Sequence, residues 1–300
     1  MAANDVLPPS ANAVAEKCAD CNPVGECFAN ALNMPPETST EERIDHFIRE
    51  VEDIVITGST EDPSPEAPGG FEWWFSSSIV TLSSAIPANS PEQDLMINIL
   101  ASLHNIKGYD EVHMWKGMKS LGMEMREAWN FCPPIEPNDD YRSTFNPSQW
   151  LNFTSFLARL HQKWIDPLHT FQLWELKQDL EELLSPAALA HRMPFVREWL
   201  RHTALRLLQD SLLGTLTEDP EGGIHGYPYR GGSLYKGESG LTLERWSLWK
   251  RRLVDIRADA DEDLRAVVDE SIGYMVSAEK KIGNLADLLT KPTKKESDDN

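Results

Sequence analysis

Three of the four cysteines lie close together near the N-terminus, at a spacing that could bind a metal ion. Cys18, Cys21 and Cys27 form a Cys-x2-Cys-x5-Cys pattern, and two thiolates two residues apart can chelate one zinc ion. A structural zinc site also needs a fourth ligand, and the nearest downstream histidine, His46, falls inside a predicted helix. We therefore favour incidental thiols over zinc and predict no metal site. So few cysteines in a chain of 300 residues are typical of a reducing compartment.

Two of the eight histidines are candidates for a shared cavity. His161 lies on the apolar face of a helix predicted to begin at Pro147, and His169 opens the next predicted helix after a short turn. A histidine in a cavity could act as a general base, provided that a proton is positioned for it to take. The favoured interpretation is a core histidine with one backbone partner. Both residues remain candidates for ligand binding.

A tryptophan-rich stretch, Leu241–Leu253, supplies the other candidates. At 100° per residue, Trp246, Trp249 and Leu253 share one apolar arc, which predicts that the two indoles are core anchors whose N–H groups need partners. Lys250 falls on the same side, where an unpaired ammonium group would be costly. The favoured interpretation is that its aliphatic stem passes an indole and its charge reaches water. The alternatives are a buried carboxylate partner or an anionic ligand.

Catalytic motifs with a defined spacing are absent. The sequence contains no His-Glu-x2-His, no Gly-x-Ser-x-Gly, no phosphate loop and no dinucleotide fingerprint. The acidic clusters 138–140 and 259–263 lack the spacing with which a terpene cyclase holds magnesium and diphosphate. Acids at helix starts more often complement the helix dipole. We therefore assign no catalytic residue and expect no cofactor.

Composition and charge limit the classes of binding partner that the chain can have. With 41% hydrophobic and 25% charged residues the chain is typical of a globular protein. Its formal net charge of −20 repels phosphate backbones, so we expect no nucleic-acid partner. No apolar stretch is long enough to span a bilayer, and residues 1–10 lack the features of a secretory or mitochondrial signal. We expect a cytoplasmic protein without a membrane partner; short basic runs at 250–252 and 291–295 keep a nuclear location open.

Helical periodicity dominates the sequence from residue 40 onward. No run of alternating β-branched residues occurs, so we predict an all-α fold: a single irregular multi-helix bundle. We divide the chain into a disordered N-terminal arm (1–39), a helix (40–59), a Pro/Gly linker (60–70), a helical domain (71–290) and a charged disordered tail (291–300). Within the domain the predicted helices are Phe71–Ile86, Glu92–Asn105, Glu111–Asn130, Pro147–Ile165, Leu168–Leu184, Phe195–Leu213, Leu241–Arg257 and Ala260–Leu289.

One segment of the predicted domain departs from this pattern. Residues 214–240 contain eight of the 17 glycines and three tyrosines. So long an insertion is a functional lid, a binding loop or a disordered excursion. We favour disorder or a surface crossing, because glycine loses the most chain entropy on ordering.

Four passages resemble a known family when they are taken in order. They are Ser84–Pro87 with Ser90–Asp94, Trp150–Arg159, Leu241–Leu253, and the C-terminal helix around Met275. The chain resembles a fungal family catalogued only as a domain of unknown function (number 3632), over roughly residues 70–289. The resemblance implies an intracellular, mostly helical fungal protein. It carries no established reaction, so no site residue is transferred from it.

Two functions fit these observations. The first is a non-catalytic module that binds a small apolar ligand or a protein partner in a groove between helices, because the chain has many tryptophans and no catalytic motif. The alternative is an accessory enzyme of the cyclase or lyase type in a fungal secondary-metabolite pathway, since catalysis by shape leaves almost no motif.

Overall fold

Ten α-helices and no strand occur in the described part of the chain, which confirms the predicted all-α class. The computed structural model describes residues 13, 14, 16, 18, 22–61, 67–105, 119–136, 145–163, 168–216 and 229–290. In chain order the helices are α1 (Pro23–Asn33), α2 (Thr40–Glu61), α3 (Ala67–Ala85), α4 (Pro91–Asn105), α5 (Lys119–Trp129), α6 (Pro147–Lys163), α7 (His169–Leu180), α8 (Pro186–Leu213), α9 (Leu243–Asp259) and α10 (Glu262–Thr290).

The chain divides into two compact units, Met1–His169 and Thr170–Asn300, rather than the single bundle predicted. In the N-terminal unit α3 packs against α5 and α6, while α1 packs against α2. In the C-terminal unit α10 packs against α8 and α9. Helical periodicity identifies the apolar face of each helix but not its partner, so the division could not be seen in the sequence.

The predicted disordered arm, 1–39, is wrong for its second half. Helix α1 begins after Asn22, whose side chain accepts a hydrogen bond from Gly25 N at 2.9 Å, and Pro23 occupies the first turn. Val24 and Phe28 are buried, and Phe28 meets Phe47 edge-to-face with ring centroids 6.4 Å apart. Helices α2 and α3 also shorten the predicted 60–70 linker. Residues 1–12, 62–66 and 291–300 lie outside the described residues.

The C-terminal unit has one apolar core. It includes Trp249 and Leu253 of α9 and Val268, Met275 and Ala278 of α10. Counting at 100° per residue along the sequence predicts an apolar stripe on the last helix, and four of its members are buried: Val268, Ser271, Met275 and Ala278. Helix α8 begins at Pro186, capped by Ser185, and contains Pro194; the sequence predicts a start at Phe195 because proline usually ends a helix.

The Gly-rich segment is ordered in its second half, contrary to the predicted disorder. Gly232, Tyr235 and Leu241 are buried between the helices of the C-terminal unit. Gly232 N donates to Glu181 Oε2 at 2.8 Å, and Leu234 N donates to Glu181 O at 2.8 Å. Its first half, residues 217–228, lies outside the described residues. The ordered part, residues 229–242, is called the strap below.

Candidate functional site

A groove of about 680 Å³ runs along one face of α9 in the C-terminal unit. Its volume is in the range of small-molecule sites, about 300–1,000 Å³. Two of its apolar side chains, Leu183 and Val254, are 76% and 50% exposed. The groove therefore combines an apolar surface with a line of charged side chains. The lining residues are Leu183, Leu234, Trp246, Ser247, Leu248, Lys250, Arg251, Arg252, Val254, Asp255 and Glu279.

Helix geometry explains why α9 supplies most of this lining. The helix begins after Thr242, whose hydroxyl oxygen accepts a hydrogen bond from Arg245 N at 3.1 Å. From that start, residues 246 and 250 lie one turn apart and share a face. Residues 251 and 254 follow on the same side of the groove. Leu183 comes from the turn after α7, Leu234 from the strap and Glu279 from α10.

The partner of Lys250 is a carboxylate of α10. Lys250 Nζ donates to Glu279 Oε2 at 2.5 Å, and Trp246 Nε1 donates to Glu279 Oε1 at 3.0 Å. The Lys250 and Glu279 side chains are 32% and 36% exposed. The ammonium group is therefore paired with a carboxylate and also reaches water. The sequence favoured the contact with water and gave a carboxylate partner as an alternative, and the structure contains both contacts. The indole N–H of Trp246 has the partner that the sequence requires.

The electrostatics of Glu279 follow from these contacts. Partial burial alone would raise the pKa of its carboxyl, but the hydrogen bonds from Lys250 and Trp246 and the charge of Lys250 outweigh that effect. The pKa of Glu279 is lowered as a result. Glu279 is therefore ionised at neutral pH, and its negative charge offsets the positive charge of Lys250 locally.

Beneath the groove, α9 is anchored by a buried ion pair that the sequence analysis missed. Arg245 and Glu181 are both 0% exposed. Arg245 Nε donates to Glu181 Oε1 at 2.5 Å, and a terminal nitrogen donates to Oε2 at 3.0 Å. The guanidinium group also donates to three strap carbonyls, those of Tyr229 at 2.7 Å, Gly240 at 2.8 Å and Arg230 at 3.2 Å. All five N–H donors of Arg245 are therefore used.

Trp249 belongs to this buried anchor rather than to the groove. Its indole Nε1 donates to Glu181 Oε1 at 2.7 Å, and the side chain is 1% exposed. The Arg245 guanidinium lies 5.7 Å from the Trp249 ring and 5.0 Å from the Tyr235 ring. We call Arg245, Glu181 and Trp249 the clamp, because together they tie α9 to the end of α7 and to the strap.

A second buried charged cluster lies between α7 and α8. Arg192 donates to Glu175 Oε1 at 2.6 Å and to Asp179 Oδ1 at 2.8 Å, and all three side chains are 0% exposed. Burial raises the pKa of Asp179 above its usual value, although the Arg192 charge and the hydrogen bonds from Arg192 and Glu175 oppose that rise. Because these groups are sealed from solvent, we assign the cluster to structure.

The histidine candidates lie in the N-terminal unit and do not line the groove. Their ring centroids are 4.5 Å apart at an interplanar angle of 76°, and His161 and His169 are 0% and 9% exposed. The two rings therefore contact each other, and a shared ligand cavity around them stays a prediction. His161 is buried on the face of α6 with Phe153, Leu157 and Leu160, as a core residue would be. Of the five candidate residues, Trp246 and Lys250 line the groove, and His161, His169 and Trp249 do not.

Two of the three cysteines of the N-terminal pattern, Cys18 and Cys27, are among the described residues. Cys18 and Cys27 are buried thiols, and Cys21 lies outside the described residues. Burial, followed by the nearby charge of Glu50, raises the pKa of Cys27 to about 11. A zinc ligand must be a thiolate, so this environment opposes metal binding by Cys27.

The other passages behind the family resemblance build a polar network in the N-terminal unit. Asn152 of α6 accepts from Ala88 N at 2.8 Å and donates to Ser84 O at 2.9 Å. Gln93 of α4, which is 0% exposed, donates to Asn152 O at 3.0 Å and accepts from Ser155 Oγ and an Arg159 terminal nitrogen. These residues fix α6 against the α3–α4 turn. Their role is structural.

Comparison with known proteins identifies a family without a described activity. A family model described as "Protein of unknown function (DUF3632)" matches residues 77–253. Since the match covers more than half of the chain, the chain belongs to this family. No curated protein and no solved structure matches it. Among the described helices, none is both long and apolar enough to cross a membrane.

Proposed function

We propose that this protein is a non-catalytic binding module whose C-terminal unit holds a small apolar ligand in the groove along α9. The observation that carries the proposal is the groove itself, with Leu183 and Val254 exposed at 76% and 50% beside the Lys250–Glu279 pair. A ligand that covers exposed apolar side chains in a concave site removes their surface from water, and this contributes favourably to the free energy of binding.

The state of the charged groups supports binding over catalysis. In the groove, Lys250 and Glu279 bond each other, and neither is held ready for proton transfer to a bound molecule. Glu175 and Asp179 carry carboxyl groups, which can act as general acids or bases, but both side chains are 0% exposed. These observations favour the binding module over the accessory enzyme of secondary metabolism.

The cellular compartment and the source organism belong to the same proposal. The low number of cysteines, four in 300 residues, supports a reducing compartment such as the cytosol. We infer a fungal source from the family resemblance. The exposed Leu183 side chain would also suit a protein partner, but the volume of the groove favours a small ligand.

A neutral apolar dye, N-phenyl-1-naphthylamine, tests the proposal. Its fluorescence rises in an apolar site, so the protein is titrated into a fixed low concentration of dye. At about 0.3 kcal/mol per non-hydrogen atom, a ligand of this size should bind with a Kd of about 0.2 mM or tighter. The double variant Leu183→Gln/Val254→Gln should weaken binding about tenfold, because it removes apolar contact surface.

A matched pair of leucines provides the control. Leu212 and Leu213 are 49% and 80% exposed on α8 and do not line the groove. The variant Leu212→Gln/Leu213→Gln therefore makes a comparable change of exposed apolar surface elsewhere in the same unit, and dye binding should be unchanged. If the dye does not bind the wild-type protein, or if both double variants bind it as the wild type does, the groove is not the ligand site.

A further inference from the structure

The charges that line the groove differ in sign from those of the whole chain. Three cations, Lys250, Arg251 and Arg252, face two carboxylates, Asp255 and Glu279. The local balance is positive, whereas the chain as a whole carries a formal charge of −20. A positive edge in so acidic a protein concentrates anions at that place.

Two of these cations have no carboxylate partner. Lys250 is neutralised by Glu279, but Arg251 and Arg252 form no ion pair with any described residue. Arg252 Nε is also shielded from solvent without a hydrogen-bond partner among the described residues. In the same unit Arg192, Arg245 and Arg257 each bind a carboxylate. Two guanidinium groups without a carboxylate partner can donate hydrogen bonds to an acid group that enters the groove.

We propose that the natural ligand of the groove is an amphipathic monoanion, with its apolar body on Leu183 and Val254 and its acid group at Arg251 and Arg252. This inference rests on the proposed function and adds the chemical class of the ligand. A guanidinium group donates two parallel hydrogen bonds to a carboxylate, and charge assistance makes such bonds stronger than neutral ones.

The two carboxylates of the groove limit the charge of the ligand. Asp255 and Glu279 line the same concavity, and a ligand with several negative charges, such as a diphosphate, would be repelled by them. A single acid group can occupy the arginine side while the apolar body covers the leucine side. The groove therefore favours a carboxylic acid with a long or polycyclic hydrocarbon body.

A pair of dyes with the same apolar skeleton tests this assignment. 1-Anilinonaphthalene-8-sulfonate carries one negative charge, and N-phenyl-1-naphthylamine is its neutral counterpart. One charge-assisted hydrogen bond should make the anionic dye bind at least about tenfold more tightly than the neutral dye. In the variant Arg251→Gln/Arg252→Gln this preference should disappear. The preference is the ratio of the two affinities, so a general weakening of the groove would lower both affinities and leave the ratio unchanged, and an unchanged circular dichroism spectrum shows that the variant is folded.

A single-residue comparison isolates the local charge from the net charge. Arg201 is an exposed arginine of α8 that does not line the groove. Arg201→Gln should leave the preference for the anionic dye intact, whereas Arg252→Gln should reduce it. Dodecanoate should then displace the anionic dye at lower concentration than 1-dodecanol does, because only the acid can engage the arginines.

The possible failures are distinguishable. If the neutral dye does not bind, the proposed function itself fails. If the neutral dye binds and the wild-type protein shows no preference for the anionic dye, the apolar groove stands and the anionic ligand is wrong. If the preference survives in Arg251→Gln/Arg252→Gln, the acid group is held elsewhere and the assignment to these two arginines is overturned.

Discussion

Replacement of Arg245 by methionine should destabilise the C-terminal unit severely. Methionine keeps most of the apolar stem but removes a guanidinium group whose five donors are all engaged. The Glu181 carboxylate would stay buried without a counter-charge, and three strap carbonyls would lose their donor. Removal of one partner from a buried ion pair costs about 3–5 kcal/mol. At about 1.4 kcal/mol per factor of ten, this corresponds to a change of roughly 150- to 5,000-fold in the opening equilibrium.

Native-state hydrogen exchange measures this effect locally, which suits a chain of two units. The slowest amides of α9 should exchange faster by that factor in Arg245→Met. Arg257 provides the matched control on the same helix, because it also binds a carboxylate, Asp269, but both side chains are about half exposed. Arg257→Met should leave the α9 amides nearly unchanged. Equal exchange in the two variants would show that the clamp does not stabilise α9.

Two further predictions concern the strap and the buried carboxyl cluster. Gly232→Ala should destabilise the protein by about 1–3 kcal/mol in urea unfolding, because the new Cβ would lie 2.7 Å from the Glu181 carbonyl oxygen. Gly273 occupies an exposed position of α10 where a Cβ would meet nothing within 4 Å, so Gly273→Ala should stabilise the protein by about 0.5–1 kcal/mol. Loss of stability in both variants would contradict the contact argument. Asp179 has a raised pKa in the folded state, whereas its carboxyl titrates near 3.8 in the unfolded chain. At a pH between these two values the folded chain therefore binds more protons than the unfolded chain. The contribution of Asp179 to stability falls as the pH rises from about 3.8 to the folded-state pKa. Asp179→Asn should remove this part of the pH dependence of the unfolding free energy, and an unchanged slope between wild type and variant would refute it.

Features of the fold that depend on residues close together in the sequence could be predicted. The stripe of α10 follows from a sustained spacing of apolar residues, and Val268, Met275 and Ala278 are buried as expected. Helix α1 carries the same signal, since Val24, Cys27, Phe28 and Ala31 are spaced by three or four residues and are buried. The asparagines and prolines around it led us to expect disorder instead. Composition was a poorer guide than spacing in this segment.

The sequence could indicate which residues are candidates for the site, but not which side chains they contact. Trp246 and Lys250 line the groove, whereas the sequence favoured a core anchor for Trp246 and a charge in water for Lys250 and gave ligand binding as a candidate role. The sequence could not show that Glu279 binds both, because it lies 29 residues after Lys250 and 33 after Trp246. The clamp was missed for the same reason: Glu181 and Arg245 are 64 residues apart. A pattern read along one helix gives the direction of a side chain and not what it meets.

The groove depends on the clamp because both are built on helix α9. Trp249 and Trp246 are only three residues apart, yet their indole N–H groups bind different carboxylates, Glu181 below α9 and Glu279 beside the groove. The first contact fixes the position of the helix, and the second fixes the Lys250 charge on its outer face. Since Arg251 and Arg252 project from this same helix, a loss of the clamp should weaken ligand binding without touching a single lining residue. The buried ion pair is therefore best understood as the support that orients the groove.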